Sequence, residues 1–168
     1  IIAITGSNGK TTTKELLNIV LSQRFKVGYT LGNLNNHIGV PLTLLSFDSS
    51  LDYGIVEMGA NHVGEIGSLC KIAEPNYGVI TNIGSAHLEG FGGKEGVIRG
   101  KSELYKYLKK AGGKVFVNND DPLLVDLTKS QTTVTYSGEN DSSYKARLLN
   151  TNPNVRFETP DGTEIHSK

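Results

Sequence analysis

The residues best suited to chemistry lie in Thr5-Gly-Ser-Asn-Gly-Lys-Thr11, directly after an apolar run at residues 1–4. Two glycines allow the backbone to turn tightly and to aim N–H groups at phosphate oxygens, and the following helix adds the positive end of its dipole. Lys10 supplies a point charge, and the Thr11 hydroxyl can reach a phosphate-bound Mg²⁺. This order of residue types predicts a phosphate-binding loop. A glycine-rich turn that binds nothing is the alternative.

This loop is a short variant of the usual P-loop. The pattern G-x-x-x-x-G-K-[ST] would place its first glycine at position 4, but Ile4 stands there and the glycine is Gly6. The spacing is therefore G-x-x-G-K-T. The residues assigned to phosphate binding are Gly6, Ser7, Asn8, Gly9, Lys10, Thr11 and Thr12.

Two further side chains are expected at the same site. Glu57 ends an apolar stretch at residues 52–59, and His87 lies in the loop after the next apolar stretch, residues 77–83. Because ligands gather beyond the carboxyl ends of parallel strands, both side chains should face the phosphate loop. Mg²⁺ on nucleotide phosphates takes only one or two protein carboxylates, so Glu57 is predicted to be a metal ligand. An exposed acid at a strand end and a solvated histidine are the alternatives.

Lys101 occupies an unexpected position on its predicted helix. It shares one helical face with Val97, Leu104 and Leu108. A buried ammonium must find a carboxylate, extend to solvent, or lose its charge, and a neutral amine could capture CO₂ as a carbamate. The pattern alone favours extension to solvent.

Other polar residues receive simpler interpretations. Asp120 or Asp121 could touch a nucleotide after a strand, but Asp-Pro is also an ordinary helix cap, which we prefer. Glu89 is assigned as a solvated charge. Cys70 shares a helical stripe with apolar residues, which favours a small buried side chain over a catalytic thiol.

The elements that must position these residues alternate between strands and helices. Strands are predicted at residues 1–5, 26–30, 52–59, 77–83, 114–117 and 133–136, and helices from about residue 10, about 64 to 74, about 94 to 110 and from 122. In the first helix, Leu16, Leu17, Val20 and Leu21 form the apolar stripe. A loop at residues 32–41 leads to an apolar turn through Leu45. The pattern predicts an α/β fold, a P-loop-type parallel sheet with helices on both faces.

The pattern changes near the end of the chain. From residue 142 the strands become short and alternating, with Pro160-Asp-Gly162 as a turn between two of them. We therefore predict a parallel α/β core over residues 1–140 and the start of a small antiparallel β flap over residues 141–168.

Composition excludes some classes of partner. The 168 residues include 17 Lys and Arg and 17 Asp and Glu, so no net charge favours nucleic acid or an anionic membrane surface. No apolar run approaches the roughly 20 residues that span a bilayer. A single cysteine suits the reducing cytoplasm. Because the chain opens on Ile1 within a strand, we expect it to be a piece of a longer protein.

Several separated segments together resemble the Mur ligases of bacterial cell-wall synthesis, over nearly the whole chain. They are Thr5-Gly-Ser-Asn-Gly-Lys-Thr11, Glu57, Thr81-Asn-Ile-Gly-Ser-Ala-His87 and the lysine of Gly100-Lys-Ser-Glu103. Three runs resemble the MurF branch of that family: Gly32-Asn-Leu-Asn-Asn-His-Ile-Gly-Val-Pro41, Glu57-Met-Gly-Ala-Asn-His-Val-Gly-Glu65 and Ala86-His-Leu-Glu-Gly-Phe91. Ala86 replaces the acidic residue that many other Mur ligases place there, which also favours this branch.

The resemblance implies an ATP- and Mg²⁺-dependent ligase acting on small molecules. Members of the MurF branch add D-alanyl-D-alanine to UDP-N-acetylmuramoyl-tripeptide through an acyl phosphate, as a step of peptidoglycan precursor synthesis. It also implies roles for individual residues. The catalytic residues are Lys10, Lys101 and His87; the metal ligands are Thr11, Glu57, His87 and a carbamylated Lys101; and the substrate loop carries Asn35 and Asn36.

The resemblance further implies that residues 1–168 are an incomplete central ATP-binding domain. The uridine-binding amino-terminal domain and the carboxyl-terminal domain of the family would lie outside this sequence, and the fragment itself is expected only to bind nucleotide. Rival interpretations are another muramoyl ligase, a folylpolyglutamate synthase, or a nucleotide-binding module without ligase chemistry.

Overall fold

The computed structural model describes residues 1–84 and 88–167 and gives the bounds of seventeen elements. The strands are β1 Ile2–Thr5, β2 Val27–Tyr29, β3 Tyr53–Glu57, β4 Tyr77–Ile80, β5 Lys114–Asn118, β6 Thr133–Ser137, β7 Tyr144–Lys145, β8 Arg147–Asn150, β9 Arg156–Glu158 and β10 Glu164–His166. The helices are α1 Lys10–Leu21, α2 Gly39–Leu45, α3 Glu65–Ala73, α4 Leu88–Phe91, α5 Lys94–Lys101, α6 Glu103–Ala111 and α7 Pro122–Leu127.

A parallel sheet forms the centre of the molecule. Its strand order is β2-β3-β1-β4-β5-β6-β7, and every neighbouring pair in it runs parallel. Strand β1, which leads into the phosphate loop, lies between β3 and β4. This arrangement confirms the predicted fold class, and it brings the ends of β1, β3 and β4 to one edge of the sheet.

Helices cover both faces because the side chains of a strand alternate between faces. On one face, Ile4, Ile55 and Val79 pack with Leu17 and Leu21 of α1. The opposite face carries a larger core cluster, to which β1, β3 and β4 contribute Ala3, Val56 and Ile80, and α3 and α6 contribute Ile66, Leu69, Leu104 and Leu108. The strands are therefore apolar throughout, as expected for a sheet covered on both sides.

A separate antiparallel sheet of three strands lies near the end of the chain, in the order β10-β9-β8. Its start differs from the predicted boundary at residue 141, since Tyr144–Lys145 still pairs with β6 in the main sheet. Side-chain contacts hold this edge strand in place: Ser143 lies 3.1 Å from the Thr135 hydroxyl, and Ser142 lies 2.7 Å from that of Ser137. The antiparallel sheet therefore begins at Arg147.

Two helical segments differ from expectation. The apolar turn through Leu45 is the second half of helix α2, which begins at Gly39. The single helix predicted from residue 94 to residue 110 is interrupted at Ser102, whose hydroxyl donates to Arg99 O at 2.9 Å. No helix in the described ranges is long and apolar enough to cross a bilayer.

Candidate active site

The phosphate loop connects β1 to α1 and depends on its glycines. Gly6 has φ +144°, and a Cβ there would lie 2.0 Å from the Thr81 hydroxyl oxygen. Gly9 has φ +77° and stands at the N-cap of α1. Both conformations are rare for residues with a side chain. Glycine is therefore required at these two positions to bring the loop and the first N–H groups of α1, which have no acceptor within the helix, to one point.

The loop is braced by the segment that follows β4. Asn82 accepts hydrogen bonds from Ser7 N at 3.0 Å and, through Oδ1, from Asn8 N at 3.1 Å. Asn82 Nδ2 and the Thr81 hydroxyl both donate to Asn8 O, at 3.1 and 2.6 Å. The predicted strand over residues 77–83 accordingly ends at Ile80, because the next two residues bind the loop instead of continuing the sheet.

Lys10 lies over the loop that it is predicted to serve. Its Nζ donates to Gly6 O at 2.9 Å and to Ser7 O at 3.3 Å. The ammonium therefore stands beside the backbone that would surround a phosphate group, at the N-terminus of a twelve-residue helix. A cation and a helix N-terminus in this arrangement attract anions.

Glu57 is the centre of a polar cluster at the end of β3. Its side chain is 1% exposed. The Thr11 hydroxyl donates to Oε2 at 3.0 Å, and Asn35 Nδ2 donates to Oε1 at 2.7 Å. The structure thus brings the strand-end carboxylate to the phosphate loop, as the sequence predicted, and adds the loop at residues 32–41, here called the asparagine loop.

Asn36, in the same loop, has a different task. Asn36 Oδ1 accepts hydrogen bonds from Ile38 N at 3.0 Å and from Gly39 N at 2.9 Å, so it stabilises the start of α2. Gly59 N donates to Asn35 O at 2.7 Å, which fixes the loop against the end of β3. Asn35 and Asn36 both line the cavity described below.

This cluster suits Mg²⁺. The Glu57 carboxylate and Thr11 hydroxyl are oxygen donors of the kind Mg²⁺ prefers, and they adjoin the phosphate loop. Among the residues that the structure describes there is no group of three His, Cys, Asp or Glu side chains that could hold a metal alone. That is expected for an ion that takes one or two carboxylates and completes its shell with phosphate and water.

Lys101 does not reach solvent, so extension to solvent, which the pattern favoured, is wrong. Its side chain is 2% exposed, with Nζ 3.5 Å from Ala60 O and 5.5 Å from the centre of the Phe91 ring. Burial lowers the pKa of Lys101 to about 8, and the nearby charge of Lys10 adds to this effect, while Glu65 opposes it. A larger share of neutral, nucleophilic amine is available than at an ordinary lysine.

Lys10 and Lys101 both line one cavity of about 890 Å³. Its remaining wall combines polar and apolar groups from the asparagine loop, the segment after β3, and α3: Asn35, Asn36, His37, Gly59, Ala60, Asn61, Val63, Gly64, Glu65, Ser68, Leu69 and Ile72. A substrate in this cavity would lie beside both Lys10 of the phosphate loop and Lys101.

The remaining sequence-predicted residues have definite outcomes. His87 lies outside the residues that the structure describes, so its role as a metal ligand stays a prediction. Asp121 Oδ1 accepts from Leu123 N and Leu124 N and caps α7, as preferred. Asp120 accepts N–H bonds from Gly138, Glu139 and Asn140, so it fixes the turn after β6. Cys70 is buried, and burial raises the pKa of its thiol to about 12.

Sequence reasoning missed three charged residues around the site. Lys14, one turn after Lys10 on α1, is fully buried beside Glu57. Glu65 accepts N–H bonds from Asn61 and His62, and Glu103 accepts from Gly64 N at 2.6 Å and Gly67 N at 2.8 Å. The helical spacing of Lys14 from Lys10 and Thr11 was the available signal for the first of these residues.

Comparison with known proteins shows similarity to Mur ligases along most of the chain. The family profile described as Mur ligase middle domain matches residues 4–167. The UDP-N-acetylmuramoyl-tripeptide–D-alanyl-D-alanine ligase of Bacillus subtilis (strain 168) is 42% identical over 132 residues, which cover 79% of this chain and 29% of that protein. The chain thus spans less than a third of the length of this relative.

Two solved structures show how far the fold agrees. A crystal structure of MurF from Acinetobacter baumannii matches with a TM-score of 0.84 at 38% identity, covering 98% of this chain and 37% of that one. The MurF ligase from Thermotoga maritima, solved in complex with ADP, matches with a TM-score of 0.84 at 33% identity, covering 98% and 39%. This chain belongs to the Mur ligase family, in which it corresponds to the middle domain.

Proposed function

We propose that this chain is the ATP-binding middle part of a MurF-type ligase, which joins D-alanyl-D-alanine to UDP-N-acetylmuramoyl-tripeptide in peptidoglycan precursor synthesis. The observation that carries the proposal is that Lys10 and Lys101 line the same cavity, at the edge where the parallel strands end. The name of the Bacillus subtilis relative supports this substrate pair, the Acinetobacter baumannii relative supports the MurF type, and the ADP complex of the Thermotoga maritima relative supports nucleotide binding.

The proposed reaction has two steps. The carboxylate of the tripeptide attacks the terminal phosphorus of ATP and releases ADP, which gives an acyl phosphate. The amine of D-alanyl-D-alanine then attacks the acyl carbon, loses a proton, and expels inorganic phosphate to form the amide. The first step develops negative charge that the protein must stabilise, so positioning and electrostatics supply most of the catalysis.

The residues of this chain have separate parts in that scheme. Loop residues 6–12 hold the phosphates, and Lys10, which already touches Gly6 O and Ser7 O, turns its charge toward them. Thr11 and Glu57 hold Mg²⁺, which neutralises phosphate charge when bound. Asn35 keeps Glu57 in place, and the asparagine loop with Asn36 faces the tripeptide. His87 is proposed to help hold a second metal ion.

Lys101 is proposed to act as a carbamate. The neutral amine attacks CO₂ and loses a proton, which converts a poorly partnered cation into an anionic oxygen donor for metal. Lys101 is buried, and its hydrogen bond to a carbonyl oxygen within the described residues is long; together with a pKa lowered to about 8, this supports the role. The lowered pKa makes the reactive form accessible near neutral pH.

A cytoplasmic location is part of the proposal, since two of the proposed substrates, ATP and the UDP-linked tripeptide, are nucleotides and the single cysteine is a buried free thiol. The proposed reaction needs no nucleic acid and no insertion into a membrane.

Lys10→Ala in the full-length protein tests the function. Ligation should fall at least about 100-fold, because the transferring phosphoryl group loses a cation worth roughly 3 kcal/mol. Phosphate release that depends on both UDP-N-acetylmuramoyl-tripeptide and D-alanyl-D-alanine is the assay. Lys106→Ala, on the exposed side of α6, is the matched control and should keep wild-type turnover. Phosphate release that does not depend on UDP-N-acetylmuramoyl-tripeptide or on D-alanyl-D-alanine would refute the assignment.

A further inference from the structure

Lys14 is a fully buried lysine that the proposed chemistry does not use. It is 0% exposed. Its Nζ donates to Gly32 O at 2.9 Å and lies 3.0 Å from Glu15 Oε1, 4.0 Å from Glu57 Oε2 and 5.8 Å from the centre of the Tyr29 ring. A cation removed from water in this way must be held by its partners.

These contacts join three segments of the candidate site. Lys14 stands on α1, Gly32 belongs to the loop after β2 that also carries Asn35, and Glu57 ends β3. Asn35 binds the other oxygen of Glu57 at 2.7 Å. Lys14 and Glu57 therefore each hold the asparagine loop, in addition to the hydrogen bond from Gly59 N to Asn35 O.

The partners of Lys14 indicate which of the two carboxylates, Glu15 or Glu57, depends on its charge. The Glu15 side chain is 44% exposed and can be solvated by water without a lysine. Glu57 is 1% exposed, and its other partners are the neutral Thr11 hydroxyl and Asn35 amide. Lys10 is bonded to the loop carbonyls. Among the described residues, Lys14 is thus the cation that makes an ion pair with Glu57.

We propose that Lys14 is a positioning residue for the metal-binding end of this site; the inference rests on the proposed function. Lys14 places a positive charge beside the buried Glu57 carboxylate and keeps that carboxylate aimed at Thr11. The distance of 4.0 Å is too long for a hydrogen bond from the Lys14 ammonium to Glu57 Oε2, so that oxygen remains available to a metal ion. Through Gly32 it also holds the asparagine loop at the distance at which Asn35 reaches Glu57.

The test replaces Lys14 by methionine, a side chain of similar length without charge, in the full-length protein. Free Mn²⁺ is titrated by electron paramagnetic resonance in the presence of ADP. Mn²⁺ should bind about tenfold more weakly, since partners that orient metal ligands are typically worth 10- to 100-fold in affinity. The Mg²⁺ concentration for half-maximal ligation should rise by a similar factor, while the KM for D-alanyl-D-alanine stays unchanged.

Glu15→Gln is the matched control, because it removes the other carboxylate that touches Lys14. It should leave Mn²⁺ binding within about twofold of wild type, as expected for a surface ion pair. If both variants weaken Mn²⁺ binding equally, the Lys14–Glu15 pair is responsible and the proposal is wrong. Tighter Mn²⁺ binding by Lys14→Met would show that the lysine acts only by repelling cations, which also overturns it.

A stability measurement decides the case in which Lys14→Met folds poorly. The substitution is made in wild-type and in Glu57→Gln backgrounds, and the midpoints of urea unfolding are compared. Lys14→Met should lower the midpoint much less when Glu57 has lost its charge. An equal loss in both backgrounds would make Lys14 a structural lysine independent of Glu57. Neither measurement depends on which amine is ligated, so failure of the proposed substrate pair would leave both interpretable.

Discussion

Two buried lysines face the same edge of the sheet, and their surroundings differ. Lys14 has a carbonyl oxygen at 2.9 Å and two carboxylates within 4.0 Å. Lys101 has one carbonyl oxygen at 3.5 Å and the face of Phe91. Both side chains are hidden from water, at 0% and 2% exposure. Among the described residues, carboxylates within 4.0 Å thus compensate the ammonium of Lys14, whereas that of Lys101 has no carboxylate so close.

The difference separates a lysine that holds structure from one that is prepared for reaction. Compensated charges in a protein interior fix the groups around them. An uncompensated ammonium raises the free energy of the folded protein and is driven toward its neutral form. The lowered pKa of Lys101 expresses that penalty, and a chemical change that removes its positive charge would relieve it.

The largest expected effect is the loss of activity in Lys101→Ala. In the full-length enzyme, ligation should fall about 100-fold or more, equivalent to about 3 kcal/mol of transition-state stabilisation. Acetate should restore part of the activity, because a small carboxylate can occupy the place of the carbamate. Wild-type activity should fall in CO₂-depleted buffer and recover with bicarbonate. A Lys101→Ala enzyme with most of its activity would end the carbamate proposal.

The same substitution at both lysines should change stability in opposite directions. Lys14→Met leaves the buried Glu57 carboxylate without its cation and should lower the free energy of unfolding by about 3 kcal/mol. Lys101→Met removes a buried charge whose pKa is lowered from 10.5 to about 8 and should raise the free energy of unfolding by about 3 kcal/mol at pH 7. Urea unfolding of this chain measures both. Two changes of the same sign would show that the contacts do not distinguish these lysines.

The gain in Lys101→Met should depend on pH. In the folded protein the pKa of Lys101 is lowered to about 8, whereas its ordinary value is 10.5. Between these values the unfolded chain binds more protons than the folded chain, so wild-type stability rises with pH relative to the methionine variant. The advantage of Lys101→Met, about 3 kcal/mol below pH 8, should shrink as pH approaches 10.5. A constant advantage from pH 7 to pH 10 would contradict the burial of a charged amine.

Much of the fold and part of the site could be predicted from sequence, because they depend on local rules. The glycine spacing of the loop, the apolar strands and the position of Glu57 at a strand end all follow from short-range patterns, and the structure places them as expected. Lys101 was found because it interrupts an apolar helical face.

The orientation of α1 could not be predicted in the same way. Its sequence shows an apolar stripe through Leu16, Leu17, Val20 and Leu21, yet Leu16 is 55% and Val20 66% exposed while Lys14 is buried. Periodicity counts apolar residues, but the rotation of this helix also depends on Thr11 and Lys14 meeting Glu57, a contact 43 or more positions away in sequence. Long-range charge pairing decides between two faces that the pattern leaves nearly equal.

The interruption at Ser102 is a second feature that short-range rules missed. A continuous helix would satisfy the local propensities of residues 94–110, but Glu103 accepts N–H bonds from the start of α3. The residues on either side of the turn have different roles: Lys101 lines the cavity, and Glu103 anchors the start of α3, a segment that also lines it. Tertiary hydrogen bonds have overridden helix continuity here.

The smallest effect is expected for Glu103→Gln, and it tests whether the wall around Lys101 is anchored from α6. Glutamine keeps one acceptor oxygen but presents an NH₂ group to the second N–H, so one charge-assisted bond to Gly64 or Gly67 is lost and unfolding should become easier by about 1 kcal/mol. Glu95→Gln on the exposed side of α5 is the control and should be neutral. If Glu103 holds the cavity wall, the amide N–H groups of residues 64 and 67 should also exchange hydrogen faster in Glu103→Gln, while those of α1 keep their rates. Faster exchange throughout the chain would mean that Glu103 contributes only to global stability. The difference between the surroundings of Lys14 and Lys101 would then not depend on the hydrogen bonds of Glu103.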